Sequence, residues 1–411
     1  MICNVLSRLP TKDAVKTIVW RSLWLESPCW ELSSLDFPDL SSFRSFGDRV
    51  FDPTRVSCIR KLKLAIGEKD ASYLTPWFSA SDRRKIQHLH VKCCAHEHIP
   101  VLPISMYVFE SLVCLKLYLL ALVDSEFFAL PCLKKMRLKA ILYPNEATFE
   151  RLVSSCPVLE ELEIDECLND DALIFRVLST SLKKLSIDIH LLMDGTESGV
   201  EIDAPQLSAL RISDILSETF LVKEIHPNAK VTISLTFGLE DFDVASVLSK
   251  ESSISNFLQG VSKVVDMTIC SDTYKLICQY SKFKRLPRFG YMSRLNISLT
   301  VSGLKRLTKF LESFPILKTL ILVCEGDYDY MNEESLSSVP ECLTLSLEFV
   351  YLEVPIEGHP GEMKLVRYFL QNSAILKKLT LHSVREKSTL IELRRIRRGS
   401  TQCELEVLQT N

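Results

Sequence analysis

The chain of 411 residues is predicted to form an α/β solenoid, in which short strand and helix units stack along one apolar core. Three observations predict this class: an apolar pattern that returns about every 25 residues, helical spacing between several copies, and prolines where those helices end. The chain has only 12 glycines, none arranged as Gly-x-Gly. Enzymes that cradle phosphates in glycine-rich loops are therefore poor candidates.

The repeated pattern is apolar-x-x-apolar-x-apolar. Because alternate side chains of a strand face opposite ways, the last two apolar residues of each copy are predicted to point into the core. Leucine-rich repeats show this pattern with a period of ~20–29 residues, and they predict a curved horseshoe with parallel strands on the concave face and helices on the convex side. The copies begin at Ile59, Ile86, Leu112, Leu133, Leu159, Leu182, Leu207, Val264, Met292, Leu317, Leu347 and Leu376, with a degenerate copy at Val231 and Ile233.

Helices are predicted between several of these strands. Apolar residues three and four positions apart predict helices over residues 146–155, 305–313 and 362–372. Pro157 and Pro315 follow the first two, and proline ends a helix because its ring clashes with the preceding turn.

Both ends of the chain resemble known modules. Leu6-Ser-Arg-Leu-Pro-Thr-Lys-Asp-Ala-Val15, followed by Thr17-Ile-Val-Trp-Arg-Ser-Leu-Trp24, resembles the second half of an F-box. Val339-Pro-Glu-Cys-Leu343 and Phe369-Leu-Gln-Asn-Ser-Ala-Ile-Leu-Lys-Lys-Leu-Thr-Leu381 resemble an FBD module. The chain thus resembles plant proteins of the F-box, leucine-rich repeat and FBD class. The predicted domains are a short, partial helical F-box-like segment at 1–37, leucine-rich repeats at 50–338, and an FBD-like region at 339–411 that continues the solenoid.

This resemblance implies a non-catalytic substrate-recognition subunit of an SCF-type E3 ubiquitin ligase, without cofactor or metal. The F-box would bind a Skp-type adaptor through apolar residues, and the repeats would bind a target protein whose identity is unknown. Compared with the family, the first F-box helix and the usual Leu-Ser-Lys-Arg between Val19 and Trp20 are missing. A second interpretation stays open: a leucine-rich repeat interaction scaffold that has lost adaptor binding because its F-box is incomplete. The adaptor-binding candidates are Leu6, Leu9, Pro10, Val15, Val19 and Leu23.

Side chains between the inward-facing residues are predicted to point out of the concave face. They change from basic to acidic along successive strands, so this face is predicted to bind a target of complementary charge order. Reversing Lys135, Arg137 and Lys139 to Glu is expected to weaken target binding more than reversing Arg394, Arg395, Arg397 and Arg398. The candidate target-binding residues are Lys61, Lys63, His88, His90, Lys92, Lys116, Tyr118, Lys135, Arg137, Lys139, Glu161, Glu163 and Asp165.

Two other ligands, a zinc ion and an inositol phosphate, bear on the same face. The four histidines and two cysteines between His88 and His98 match no spacing that closes a tetrahedral zinc site, so a solvated strand and turn is favoured. Some hormone-receptor F-box repeats bind an inositol phosphate on a basic floor, and the basic residues here are similar in kind but lack an arginine cluster.

Net charge and hydropathy bear on partners and location. A net charge of -3 provides no global field for nucleic acid or acidic lipid, so neither nucleic acid nor a membrane is predicted as a partner. No secretory signal is recognised, and the longest apolar run, Leu117 to Val123, is too short to span a bilayer. The chain is expected in the cytoplasm, the nucleus or both, with Arg394–Arg398 as a candidate nuclear signal.

Overall fold

A computed structural model describes most of the chain. The described residues form two compact units that divide between Leu207 and Ser208. They comprise residues 28–52, 54, 56, 58–67, 72–81, 85–94, 99–169, 174–189, 198–325, 336 and 338–410.

In the first unit, parallel strands form a sheet in the order β1-β2-β3-β4-β5-β6-β8, and β7 pairs with β9 in a second sheet. The strands are β1 Cys29–Ser33, β2 Lys61–Ile66, β3 His88–Cys93, β4 Cys114–Ala121, β5 Lys135–Leu142, β6 Glu161–Cys167, β7 Ile174–Leu178, β8 Lys184–Ile189 and β9 Gly199–Ala204. Its helices are Leu40–Val50, Leu74–Ser81 and Glu146–Ser154, with 3-10 turns at Ser34–Asp36 and Ile104–Val108.

In the second unit, parallel strands follow the order β10-β12-β13-β14-β15-β16-β17-β18. The strands are β10 Ala209–Asp214, β11 Thr219–Ile225, β12 Lys230–Leu235, β13 Asp266–Ile269, β14 Arg294–Thr300, β15 Thr319–Glu325, β16 Phe349–Ile356, β17 Lys378–Val384 and β18 Glu404–Thr410. Its helices are Val244–Ser249, Glu251–Gly260, Ser271–Tyr280, Leu307–Leu311, Glu341–Leu345, Pro360–Asn372 and Lys387–Arg395, with a 3-10 turn at Val301–Arg306.

The core consists of the apolar positions that the repeat predicts. All three apolar residues of every predicted copy are buried, and so are Val231 and Ile233 of the degenerate copy on β12. The strands pair so that equivalent residues stand side by side, as in Leu62, Leu89 and Leu115 on β2, β3 and β4. Apolar rows therefore run across each sheet, and the predicted α/β leucine-rich repeat fold is confirmed.

The predicted helices are found with small changes. Asn145 caps Glu146–Ser154 by accepting a hydrogen bond from the Thr148 backbone N–H at 2.8 Å, which satisfies a donor that the first helical turn leaves unpaired. The third helix begins at Pro360, where the fixed φ of proline suits the first turn. The expected helix over residues 305–313 is instead a 3-10 turn followed by the short helix Leu307–Leu311.

The structure differs from the prediction where a helical F-box-like segment was expected to end. Among the described residues of that segment, Cys29–Ser33 form strand β1, which pairs in parallel with β2. The reason is an alternation of period two, with Trp30 and Leu32 buried and Glu31 exposed. The adaptor-binding candidates Leu6, Leu9, Pro10, Val15, Val19 and Leu23 lie outside the described residues.

Three neighbouring strands share a left-handed residue that the repeat pattern does not reveal. Leu119, Ala140 and Glu166 have φ of 56°, 51° and 58°, and each stands two residues after the last apolar residue of its copy. The left-handed conformation costs about 1–2 kcal/mol for a residue with a Cβ. The residues that follow directly, Leu120, Ile141 and Cys167, are all buried.

Candidate functional site on the outward sheet face

The predicted target-binding side chains all lie on strands β2 to β6, between buried apolar residues. None of them is buried, because each occupies the opposite side of its strand from the core. We call this set the outward face: Lys61, Lys63, His88, His90, Lys92, Lys116, Tyr118, Lys135, Arg137, Lys139, Glu161, Glu163 and Asp165.

On β5 and β6, the outward face forms a ladder of ion pairs. The two strands place Lys135 opposite Glu161, Arg137 opposite Glu163, and Lys139 opposite Asp165. The corresponding nitrogen–oxygen distances are 2.9, 3.1 and 2.8 Å. On β8, Lys184 extends the ladder, with its Nζ 3.3 Å from Glu161. The basic and acidic parts of the face thus neutralise each other here.

The ion pairs favour the charged forms of Lys135, Lys139 and Glu161. The hydrogen bond to Glu161 raises the pKa of Lys135, and the same bond lowers the pKa of Glu161. The hydrogen bond to Asp165 raises the pKa of Lys139. A partner protein would therefore meet cations and carboxylates that are already paired, and it would gain less from each than from an unpaired charge.

On β2, β3 and β4, the same face is basic and encloses a depression of about 200 Å³. Lys63 is held by Glu31 of β1, with 3.1 Å between Nζ and Oε2. Within the described part of the chain, no carboxylate lies within ion-pair distance of Lys61 or Lys116. The lining residues are Lys61, Leu62, Lys63, His88, Leu89, His90, Cys114 and Lys116.

Two histidines in this depression are surrounded by cations. Burial lowers the pKa of His88, and the charge of Lys61 lowers it further. Burial also lowers the pKa of His90, helped by the charges of Lys116, Lys63 and Lys92 and opposed by that of Glu31. Both imidazoles are therefore neutral at neutral pH, and each keeps one N–H donor and one acceptor nitrogen.

Aromatic and thiol groups complete the surroundings of the depression. The Lys92 ammonium lies 5.1 Å from the centre of the Tyr118 ring, within the range of a cation–π contact. Burial raises the pKa of the Cys114 thiol. The thiol is therefore protonated at neutral pH and is a weak nucleophile.

Metal-ligating side chains do not gather into a site among the described residues. No group of three or more His, Cys, Asp or Glu side chains there could hold a metal ion. His96 and His98, two of the four histidines in the segment from His88 to His98, lie outside those residues. Burial raises the pKa of Cys156 to about 11, and its thiol donates to the Leu152 carbonyl, so this cysteine has a packing role.

Glu31 contributes to the candidate site, but the apolar repeat pattern does not identify it. It belongs to β1, which no predicted copy includes, and it both binds Lys63 and contributes negative charge near His90. The alternation of Trp30 and Leu32 with polar neighbours is the signal that would have found it. No helix in the described part of the chain is long and apolar enough to cross a membrane.

Comparisons with known proteins agree with the architecture. A family model described as FBD matches residues 334–381. A model described as the leucine-rich repeats of FBD-associated F-box protein At5g56370 matches residues 74–268.

Relatives that match nearly the whole chain come from Arabidopsis thaliana. One, named as FBD-associated F-box protein At5g53635, is 54% identical over 420 residues, covering 98% of this chain and 97% of the relative. Another, named as F-box/FBD/LRR-repeat protein At2g05300, is 48% identical and covers 99% of this chain and 95% of the relative. F-box/FBD/LRR-repeat protein At5g22660 is 36% identical and covers 100% and 95%. With this identity over almost its full length, the chain belongs to the plant F-box/FBD/LRR-repeat protein family.

Proposed function

We propose that this protein is a non-catalytic substrate-recognition subunit of an SCF-type E3 ubiquitin ligase. The observation that carries the proposal is the match, over 98% of this chain, to a relative whose name contains F-box. The family names describe an F-box-type adaptor role, and the F-box-like residues 6–24 would contact a Skp-type adaptor. In this assignment the ligase chemistry belongs to partner proteins.

We further propose that the outward face binds the target protein. It supports this role because it is an exposed, mostly charged surface on strands that the repeated core holds in fixed register. Rigid strands present side chains with little loss of conformational freedom on binding, which favours recognition. Neither the sequence nor the fold identifies the target protein.

An adaptor pull-down tests the ligase connection. The purified full chain is mixed with a Skp-type adaptor, beside a variant in which Leu-Ser-Lys-Arg is inserted after Val19. The inserted residues restore about one helical turn. We expect the native chain to bind the adaptor, and the restored chain to bind at least as tightly. Equal binding by both would show that the missing residues are dispensable.

The same experiment distinguishes the second candidate function. The deletion between Val19 and Trp20 favours a leucine-rich repeat scaffold without adaptor binding. In that case the restored variant binds and the native chain does not. If neither binds, the ligase role is wrong for this protein.

We also propose that the protein acts in the cytoplasm, the nucleus or both. The basic residues Arg394, Arg395 and Arg397 are exposed at the end of the helix Lys387–Arg395 and would be accessible to an import receptor. A fluorescent fusion should enter the nucleus in plant cells, and changing the three arginines to Gln should reduce its nuclear fraction. A fusion found only at a membrane would contradict this location.

A further inference from the structure

We propose that the depression between β2, β3 and β4 is a subsite for an oxyanion, either carboxylate or phosphate, carried by a peptide segment of the target protein. The inference rests on the proposed target-recognition role of the outward face and adds the chemical class of the segment that it takes.

The pairing of the strands brings the donors together. Lys61 stands beside His88 and Cys114, and Lys63 stands beside His90 and Lys116, on three adjacent strands. Neighbouring strands lie ~4.8 Å apart, so the side chains in these two rows border one shared space. Ammonium groups and imidazole N–H groups are donors that suit the several acceptor oxygens of a carboxylate or phosphate.

The contrast with the adjacent strands shows where an external anion is needed. On β5 and β6, each cation of the ladder already has a carboxylate partner within 3.1 Å. In the depression, only Lys63 has such a partner within the described part of the chain. Lys61 and Lys116 thus carry positive charge that no neighbouring described carboxylate neutralises. An anionic side chain from a partner would supply what Asp165 and Glu163 supply on β6.

The size of the depression argues for a side-chain group and against a free small molecule. Sites for whole small molecules typically measure ~300–1,000 Å³. This depression measures about 200 Å³, enough for one ionised group at the end of a side chain. The rest of a peptide would continue over the exposed charges of the outward face.

The histidines make this subsite dependent on pH. The groups that face them are Lys61 and Lys63 on β2, Lys92 on β3, Cys114 and Lys116 on β4, and Glu31 on β1. Without a ligand, the lysines oppose protonation of both imidazoles. A bound anion favours the protonated form, so by thermodynamic linkage protonation must strengthen anion binding. The affinity for a carboxylate peptide should therefore rise as the pH falls from 6.5, the ordinary pKa of histidine, to about 5, where carboxylates are still ionised.

Fluorescence anisotropy with the full chain provides the test. The probes are three dye-labelled peptides of equal length, one with a run of glutamates, one with a single phosphoserine, and one with glutamines in place of both. We expect the two anionic peptides to bind and the glutamine peptide not to bind. The anionic peptide that binds with the higher affinity identifies whether the subsite prefers carboxylate or phosphate.

Variants locate the binding. Changing Lys61 and Lys116 to Gln should weaken the anionic peptides about tenfold or more, since two charged donors are lost. The matched control changes Lys134 and Lys183 to Gln, which removes the same charge from two exposed lysines that lie outside the outward face and share Glu160 as their partner. The control should stay within about twofold of wild type. Equal weakening by both variants would overturn the subsite, because binding would then follow net charge alone.

Two further measurements complete the test. The first is binding of inorganic tripolyphosphate. If tripolyphosphate binds and neither anionic peptide does, the ligand is not a protein segment and the proposal is overturned. In the wild type, the imidazole NMR resonances of His88 and His90, identified by H88Q and H90Q, should shift with the anionic peptide. Unmoved resonances in the presence of bound peptide would place the peptide elsewhere and overturn the proposal.

The outcome is independent of the ligase connection. A chain that binds the Skp-type adaptor but neither anionic peptide disproves the subsite alone. A chain that binds the anionic peptides but no adaptor disproves the ligase role alone.

Discussion

Lys139 Nζ lies 2.8 Å from Asp165 Oδ2, and the two residues stand directly opposite each other on β5 and β6. The Asp165 side chain is only 18% exposed, so this pair is the most sheltered step of the ladder. Opposite charges at directly paired strand positions stabilise a sheet, whereas like charges there destabilise it. The charged residues that look like a docking surface in the sequence therefore also hold adjacent repeats together.

The first prediction concerns the stability of this pair. Changing Lys139 to Met should lower the free energy of unfolding by about 1 kcal/mol, because a mostly buried carboxylate loses its nearest cation. Urea denaturation measures the difference. Arg211 to Met, on the exposed side of β10 opposite the uncharged Thr232, is the control and should change stability by less than about 0.5 kcal/mol. An equal loss in both variants would mean that the pair contributes nothing specific.

The second prediction returns to charge reversal on the outward face. Changing Lys135, Arg137 and Lys139 to Glu should weaken target binding more than changing Arg394, Arg395 and Arg397. Arg398 is best kept in this control, because its guanidinium donates to the Cys403 carbonyl. Quantitative mass spectrometry of proteins captured from a plant extract compares the variants.

Reversal also places like charges opposite one another on β5 and β6, so folding has to be controlled. A variant that additionally changes Glu161, Glu163 and Asp165 to Lys, and Lys184 to Glu, restores every pair with inverted order. It should be stable and still bind poorly if charge order is what the target recognises. Normal capture by this inverted variant would contradict recognition through charge order.

The third prediction concerns the left-handed residues. Ala140 has φ of 51°, so Ala140 to Gly relieves about 1–2 kcal/mol of backbone strain and offsets the usual cost of glycine in a strand. The free energy of unfolding should stay unchanged or rise by up to about 1 kcal/mol. Ala204 is equally buried but outside the left-handed region, so Ala204 to Gly should lower it by about 1 kcal/mol. Equal destabilisation by both changes would contradict backbone strain at Ala140.

The fourth prediction concerns a buried carboxylate in the FBD region. Glu362 is 3% exposed, and its Oε2 accepts hydrogen bonds from the backbone N–H groups of Glu357, Gly358 and His359. Changing Glu362 to Ala should lower the free energy of unfolding by about 2 kcal/mol or more, since these donors lose their acceptor. Glu392 to Ala removes an exposed carboxylate nearby and should cost less than about 0.5 kcal/mol. Equal costs would show that the three hydrogen bonds add no stability.

The fifth prediction concerns pH. The folded chain holds the pKa of His88 and His90 below the ordinary value of 6.5. Below pH 6.5 the unfolded chain therefore binds more protons, and stability falls as the pH drops, until the folded-state values are reached. In the variant H88Q/H90Q, the loss of unfolding free energy between pH 7.5 and pH 5.5 should be smaller than in wild type. An unaltered loss in H88Q/H90Q would contradict the shifted pKa values.

The sequence predicts the core of this protein well and its irregular parts poorly. Residues such as Leu62 and Leu322 occupy fixed positions within the apolar-x-x-apolar-x-apolar pattern, which recurs because each stacked strand buries the same positions, so the pattern alone finds them. The pairing of Lys135 with Glu161 is also predictable from the sequence, because each residue follows the first apolar residue of its copy by two positions. The left-handed Leu119 was not predictable, because its side chain is apolar and nothing local marks a positive φ.

Glu31 shows why part of the candidate site was missed. Among the described strands, β1 pairs with β2 alone and follows the repeat pattern only in part, with two inward residues, Trp30 and Leu32. The depth of the basic depression depends on how far the strands and side chains of Lys61 and Lys116 separate, which spacing in a sequence does not encode.

The order of the strands has a consequence for how this chain is made. From β1 to β6, each strand pairs with the one synthesised immediately before it. A growing chain that leaves the ribosome can therefore add each new strand to an edge that already exists, without waiting for a distant partner. The acidic strand β6 emerges after the basic β5, so the lysines meet their carboxylates within one repeat of further synthesis. In this way the nascent protein exposes an unpaired basic edge only briefly.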